Sequence, residues 1–251
     1  MSATQSYIDP STKLGSNVSI GLFTVIRENV TIDDNCQIGN NVTIHADSRI
    51  GANVRIDDNA VIGKEPMRAA NSAVTKDQEL PPATIGADCL IGTSAIIYRG
   101  CSIGEKVLVA DLATVRENVS IDDFTIVGRG VAIENFCRIG QRCKLETNSY
   151  ITAHSELEDY VFVAPCVATS NDNFTGRTKE RFKHFKGVTV KRGGRIGVHA
   201  TILPGKTINE DSLVAGGAVV TKDTPAKKIV MGSPAKILKS VPTNQLLENQ
   251  E

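Results

Sequence analysis

Residues 85–168 read in blocks of six as IGADCL, IGTSAI, IYRGCS, IGEKVL, VADLAT, VRENVS, IDDFTI, VGRGVA, IENFCR, IGQRCK, LETNSY, ITAHSE, LEDYVF and VAPCVA. Every block opens with Ile, Leu or Val, and its fifth place is mostly small or Val. Helices and half-buried strands have hydrophobic periods of 3.6 and 2, so a sustained period of six marks a repeat architecture. Each hexad predicts a short strand plus a corner: the leading aliphatic and the small fifth residue face inward, and the polar pair between them turns the chain. Three hexads close one coil of a triangular prism, and coils stack at the spacing of neighbouring strands, about 4.8 Å. Residues eighteen apart are then vertical neighbours.

The same period runs outward in both directions. Upstream, Ile8, Leu14, Ile20, Ile26, Ile32, Ile38, Ile44, Ile50, Ile56 and Ile62 lead successive hexads. Residues 64–84 (KEPMRAANSAVTKDQELPPAT) have no register and are read as an insertion. A second insertion covers 173–187 (NFTGRTKERFKHFKG). It is strongly basic, and it is read either as a solvated surface loop or as a flap over a neighbouring subunit or an anionic ligand. Val190, Ile196, Ile202, Ile208, Val214 and Val220 resume the repeat. The expected organisation is a β-helix over 1–225 and a capping tail over 226–251, with a short helix after Pro234.

Composition narrows the function classes. The 251 residues carry 28 basic and 28 acidic side chains, so nothing global points to nucleic acid or to a membrane surface. No apolar run approaches eighteen residues and no charged-then-apolar leader opens the chain, so a cytoplasmic protein is expected. Trp is absent and aromatics are 4%, which suits an interior of small and branched side chains. Cys36, Cys89, Cys101, Cys137 and Cys143 occupy fifth places and are read as core filling. Cys166 sits one place earlier and escapes that reading. Four scattered histidines and no CxxC pair predict no metal site.

The terminal segment RIGVHATILPGKTINEDSLVAGGAVVTKDTPAKKIVMGSPAKIL (195–238) resembles the last coils and cap of the hexapeptide-repeat acyltransferases. These are left-handed parallel β-helices that assemble as trimers and use acyl-CoA or acyl carrier protein. The resemblance implies an all-β, left-handed parallel β-helix, a homotrimer with active sites between subunits, and acetyl-CoA or another acyl-CoA as co-substrate. Within the family, LEDYVFVAPCVATSNDNFTGR (157–177) is similar to N-acetyltransferases acting on nucleotide-linked amino sugars, with Asn171 at the matching asparagine. Those enzymes tend to carry a glutamate one coil earlier, where this chain has Ala153.

Acyl transfer to an amine needs a proton acceptor and donors near the developing oxyanion. Asp111, in the apolar block VADLAT, is a candidate base, the alternative being a corner Asp bonded to turn amides. His154 is expected to stack over Phe136 and under Asp172, an arrangement that would orient a base. Asn171 completes the catalytic set, with Glu117, Glu134 and Asp172 as substrate contacts. The ladders Arg99 with Glu117 and Arg116 with Glu134 read first as surface ion pairs between coils. The resemblance places the acyl donor along Gly216, Gly217 and Ala218, with Lys222 and Lys191 for its phosphates. The expected reaction is N-acylation of a nucleotide-linked amino-deoxy sugar. The alternatives are acylation of another small amine or hydroxyl, or a non-catalytic trimeric scaffold.

Overall fold

The computed structural model describes residues 5–70 and 78–250. The chain is a left-handed parallel β-helix. Among the described residues its strands are mostly two residues long and build three sheets of 11, 10 and 12 strands. Up to Val219–Val220, every third strand returns to the same sheet. The first face begins with Tyr7–Ile8 and Val25–Ile26, the second with Lys13–Leu14, and the third with Ser19–Ile20. Val115 pairs with Ile133 and Ile133 with Ile151, the eighteen-residue step that the hexads require.

Both inward places of the hexad are filled as the repeat predicts. From Ile26 to Val230 the leading aliphatics and the fifth-place Ala, Val and Cys form one continuous buried cluster. All six cysteines are free, and the five at fifth places are buried. Burial pushes the thiols of Cys101, Cys137 and Cys143 up to about 12 and that of Cys89 to about 11. The first coil departs from the pattern: no described residues form a coil beneath Ile8 and Leu14, and both are exposed.

The corners explain the polar residues. The fourth place of most hexads takes a left-handed backbone conformation, which Asn tolerates best, as at Asn35, Asn53 and Asn118. Aromatic or long side chains at this place lean on the neighbouring coil. Arg142 lies over the Phe124 ring at 4.6 Å, and Arg192 over Tyr160 at 5.2 Å. At the third place a carboxylate accepts the backbone N–H of the coil below. Asp34 takes it from Ser16 (2.6 Å), Asp58 from Asn40 (2.7 Å) and Asp123 from Glu105 (2.8 Å).

The tail is helical later than expected. Residues Lys228–Met231 add to the third face, and Lys236–Ser240 pairs antiparallel with them. The segment after Pro234 is therefore a strand, because it satisfies the open sheet edge that the last coil would otherwise expose. Helical turns follow at Thr243–Gln245 and Leu247–Asn249, and both are 3-10.

Candidate functional site

Both insertions leave the prism at one edge, between the first and second faces. The first departs after Val61–Lys64, with residues 71–77 lying outside the described residues; the second departs after Ala168–Thr169. Between them the corner places are unusually polar and unusually buried. They include Tyr98, Glu117, Asn135 and Thr152, each less than 9% exposed. Glu117, Glu134, His154, Asn171 and Asp172 all lie on this edge, following first-face strands.

At its centre is a cation shared by two carboxylates. Arg116 Nε and Nη2 donate to Glu117 at 2.8 and 3.1 Å, and Nη1 donates to Glu134 at 3.4 Å. The Glu117 side chain is 2% exposed, so Arg116–Glu117 is a buried pair within one coil, while the expected Arg116–Glu134 pair does form between coils. Arg99 does not reach Glu117. It binds Asp47 at 2.9 Å and the carbonyls of Ala46 and Leu80, and so ties the first insertion to the prism. Burial opposes the charge on Arg116, but Glu117 and Glu134 hold its pKa above the ordinary value. Burial raises the Glu134 carboxyl, against the pull of Arg116 and with the help of Glu117. Tyr150 is raised for related reasons, first burial and then the Glu134 charge.

One coil higher, the His154 ring stacks on Phe136 with centroids 5.0 Å apart and planes 1° from parallel. Partial burial lowers its pKa, leaving a neutral imidazole at pH 7. The expected His154–Asp172 pair does not form. Asp172 accepts the backbone N–H of Phe174 (2.8 Å) and of Gly176 (2.9 Å), and Arg181 Nε lies 3.1 Å from it. Asp172 therefore folds the second insertion, whose chain turns back on itself within four residues. Arg181 is also held over the rings of Phe182 and Phe185. The loop closes on the prism where Lys186 N–H donates to the Asn171 carbonyl at 3.2 Å. A Cβ at Gly187 would collide with the backbone of His154 and Ser155, so glycine is what lets the loop seat against the histidine.

Asp111 stands elsewhere, on the edge between the third and first faces. It is exposed, and it accepts Thr93 N–H at 2.9 Å in the same slot as Asp34, Asp58 and Asp123. Its apolar sequence neighbours are inward or on the turn and do not enclose it, so it is a corner residue. The residues expected to bind the acyl donor are also dispersed. Gly216, Gly217 and Ala218 share the edge with Asp111, Lys222 follows a first-face strand, and Lys191 follows a second-face strand. Lys191 is bound to Glu158 at 2.7 Å. Cys166 lies at a third-to-first corner and is half-buried.

A shallow groove of about 410 Å³ opens beside Phe136, lined by Gly100, Ser102, Asn118, Ser120 and Arg138 on the second-face side. It continues past Ser120 and Arg138 into a further 310 Å³ bounded by Glu156, Glu158 and Arg192. Sequence reasoning missed Asn135 and Tyr98. Asn135 is fully buried, and neither atom of its amide finds a partner among the described residues. Its place in the column between Glu117 and Ala153 was readable, but its burial depends on the coils above and below. Among the described residues no group of three or more His, Cys, Asp or Glu side chains is placed to hold a metal, and no helix is long and apolar enough to cross a membrane.

Comparisons with known proteins agree on the repeat. The family described as bacterial transferase hexapeptide (six repeats) matches residues 11–46 and 35–64, and the GMPPB C-terminal domain matches 79–181. A putative acetyltransferase of Staphylococcus aureus is 35% identical over 74 residues, 30% of this chain and 37% of that protein. A 2,3,4,5-tetrahydropyridine-2,6-dicarboxylate N-acetyltransferase of Clostridium perfringens is 54% identical over 46 residues, 18% and 20% of the two chains. The chain thus matches about a third or less of these relatives' length. Among solved structures, a UDP-N-acetylglucosamine acyltransferase from Bacteroides fragilis superposes with a TM-score of 0.58 at 23% identity. The match covers 96% of this chain and 75% of that one, and it is a likeness of fold.

Proposed function

Because the chain belongs to the hexapeptide-repeat acyltransferase family, we propose that it moves an acetyl or other short acyl group from acyl-CoA to the amine of a nucleotide-linked amino-deoxy sugar. The observation that carries the proposal is the edge between the two insertions. It brings a neutral, stacked His154 together with Arg116, Glu117, Glu134 and Asn171 beside an open groove.

In this reading the substrate amine attacks the thioester carbonyl. A nitrogen–carbon bond forms, the carbon–sulfur bond breaks, and CoA leaves as its thiolate. His154 takes the amine proton, a role suited to an imidazole held neutral at pH 7. Glu134, half-buried and short of a full partner because Glu117 holds Arg116 more closely, attracts the incoming ammonium. Asn171, at the root of the second insertion, positions the sugar, and the basic insertion covers it. The small side chains of Ser102 and Ser120 let a pantetheine arm lie in the groove, whose far end holds Arg192 beside the Lys191–Glu158 pair. The protein would act in the cytoplasm as a homotrimer, with each site completed by a neighbouring subunit.

The test is release of free CoA from acetyl-CoA with a panel of nucleotide amino sugars, with simple amines and hydroxyl compounds as controls. Turnover on a nucleotide amino sugar, lowered about a hundredfold or more in His154→Asn, supports the proposal. Turnover only on non-nucleotide acceptors moves the substrate class. No thermal shift with either acetyl-CoA or CoA leaves a binding scaffold.

A further inference from the structure

The same edge continues below Arg116 toward the N-terminal end, and its second-place column there reads Arg27, His45, Lys64, Tyr98 and Arg116. The strand register stacks these residues: Ile26 pairs with Ile44, Ile44 with Ile62, Ile62 with Ile97 and Ile97 with Val115. We propose that this stripe binds the diphosphate of the substrate, with Lys64 as the central contact and His45 and Arg27 beyond it. The proposal rests on the nucleotide-sugar reading of the site above it.

Three features single out the stripe. The first is a bulge. Gly63, at φ +75°, shifts the register so that Lys64, and not Gly63, pairs with Tyr98. Bulges of this kind re-aim a side chain, and here the re-aimed group is a cation. Lys64 Nζ lies 4.7 Å from the Tyr98 ring centre, and the Arg116 guanidinium lies 5.0 Å from the same ring. The second is that the nearby acids are already neutralised. Arg99 takes Asp47 at 2.9 Å and Glu65 at 3.4 Å, so Lys64 and Arg27 have no ion pair among the described residues. Of the acids at this end of the corner, exposed Glu28 and Asp9 have no ion pair among the described residues, and Asp9, which accepts from Ser11, lies three coils below Lys64. The third is length. Lys64 lies three coils below Glu134, about 14 Å at the ordinary coil spacing. A sugar ring with its phosphates, met by an extended lysine, spans that distance, which puts the amine at Glu134 and His154 when the phosphates are at Lys64. A lysine supplies the compact charge that phosphate recognition uses, and the buried Tyr98 ring packs against both cations and fixes them in the stripe.

The experiment measures inorganic pyrophosphate binding by calorimetry and acetyl transfer to the nucleotide amino sugar, both on the full chain. The variants are Lys64→Met, which keeps the packing stem, and Lys64→Arg, which keeps the charge. Pyrophosphate should bind the wild type and weaken about tenfold in Lys64→Met, the loss of one charge-assisted contact. Lys64→Arg should restore much of it, and the KM for the sugar should rise more than kcat falls in Lys64→Met. Equal pyrophosphate affinity in Lys64→Met and wild type overturns the proposal. So does a loss seen in Lys183→Ala and not in Lys64→Met, which would move the anion to the second insertion. If pyrophosphate binding depends on Lys64 while no nucleotide sugar is acetylated, the anion site stands and the substrate assignment above fails.

Discussion

Replacing Glu117 with Gln tests the buried centre of the site directly. Glu117 receives two hydrogen bonds from Arg116, at 2.8 and 3.1 Å, and its side chain is 2% exposed. Gln keeps the shape and one acceptor but loses the charge and the second bond. Breaking a buried ion pair costs about 3–5 kcal/mol, and one charge-assisted hydrogen bond about 1.5–3 kcal/mol. Arg116 is 21% exposed and retains Glu134 at 3.4 Å, so its charge is never left alone. The loss should therefore fall at the low end, about 2–3 kcal/mol, which lowers the melting temperature of a chain of this size by roughly 4–12 °C. A second readout separates this from a simple packing defect. The Glu117 charge helps to raise the Glu134 carboxyl while Arg116 lowers it. With Glu117 neutral and the Arg116 charge shared less with it, the Glu134 pKa should move down. Urea unfolding gives the first quantity and carbon NMR of the labelled Glu134 carboxyl gives the second. A variant within 0.5 kcal/mol of wild type, about the scatter of an ordinary surface substitution, or a Glu134 pKa that rises, would refute the shared-cation account.

Other consequences can be checked independently. Asp111→Asn should retain turnover, and Asp111→Ala should lose about 1 kcal/mol, the worth of one turn hydrogen bond; a collapse of kcat with the fold intact would restore Asp111 as a base. A native thiol titration should label Cys166 alone and unfolding should release all six thiols; fast labelling of Cys101 or Cys137 would contradict their burial. His45 and His154 have pKa values below the ordinary 6.5 because of burial. The unfolded chain then binds more protons just below pH 6.5, so stability should fall as pH drops through that value. His45→Gln and His154→Gln should each flatten the slope, and a steeper slope would reverse the assignment. Gly187→Ala should unseat the second insertion from His154 and cut turnover while the β-helix keeps its melting temperature, as measured by circular dichroism.

The period of six carried the prism, its eighteen-residue step, both interruptions and the inward cysteines, because a strand too short to alternate more than once writes its burial directly into the repeat. It also placed Glu117, Glu134, His154, Asn171 and Asp172 on one edge, since column position follows from counting. Counting could not say which polar residues on an edge are buried. Asp111 and Glu117 hold the same third place of their hexads, yet one is exposed on a turn and the other is enclosed. Burial at that place depends on what packs over it: Arg116 folds back over Glu117, its neighbour in the chain, while also reaching Glu134 one coil away. Nor could counting say where a charge is spent. Asp172 is consumed by the amides of its own loop, Arg99 by the first insertion, and Lys191 by Glu158. Lys64 reaches Tyr98 only because a bulge at Gly63 breaks the count. Positions along a repeat are local and additive. The environment of each position is set by what lies one coil away, and only the folded packing brings those residues together.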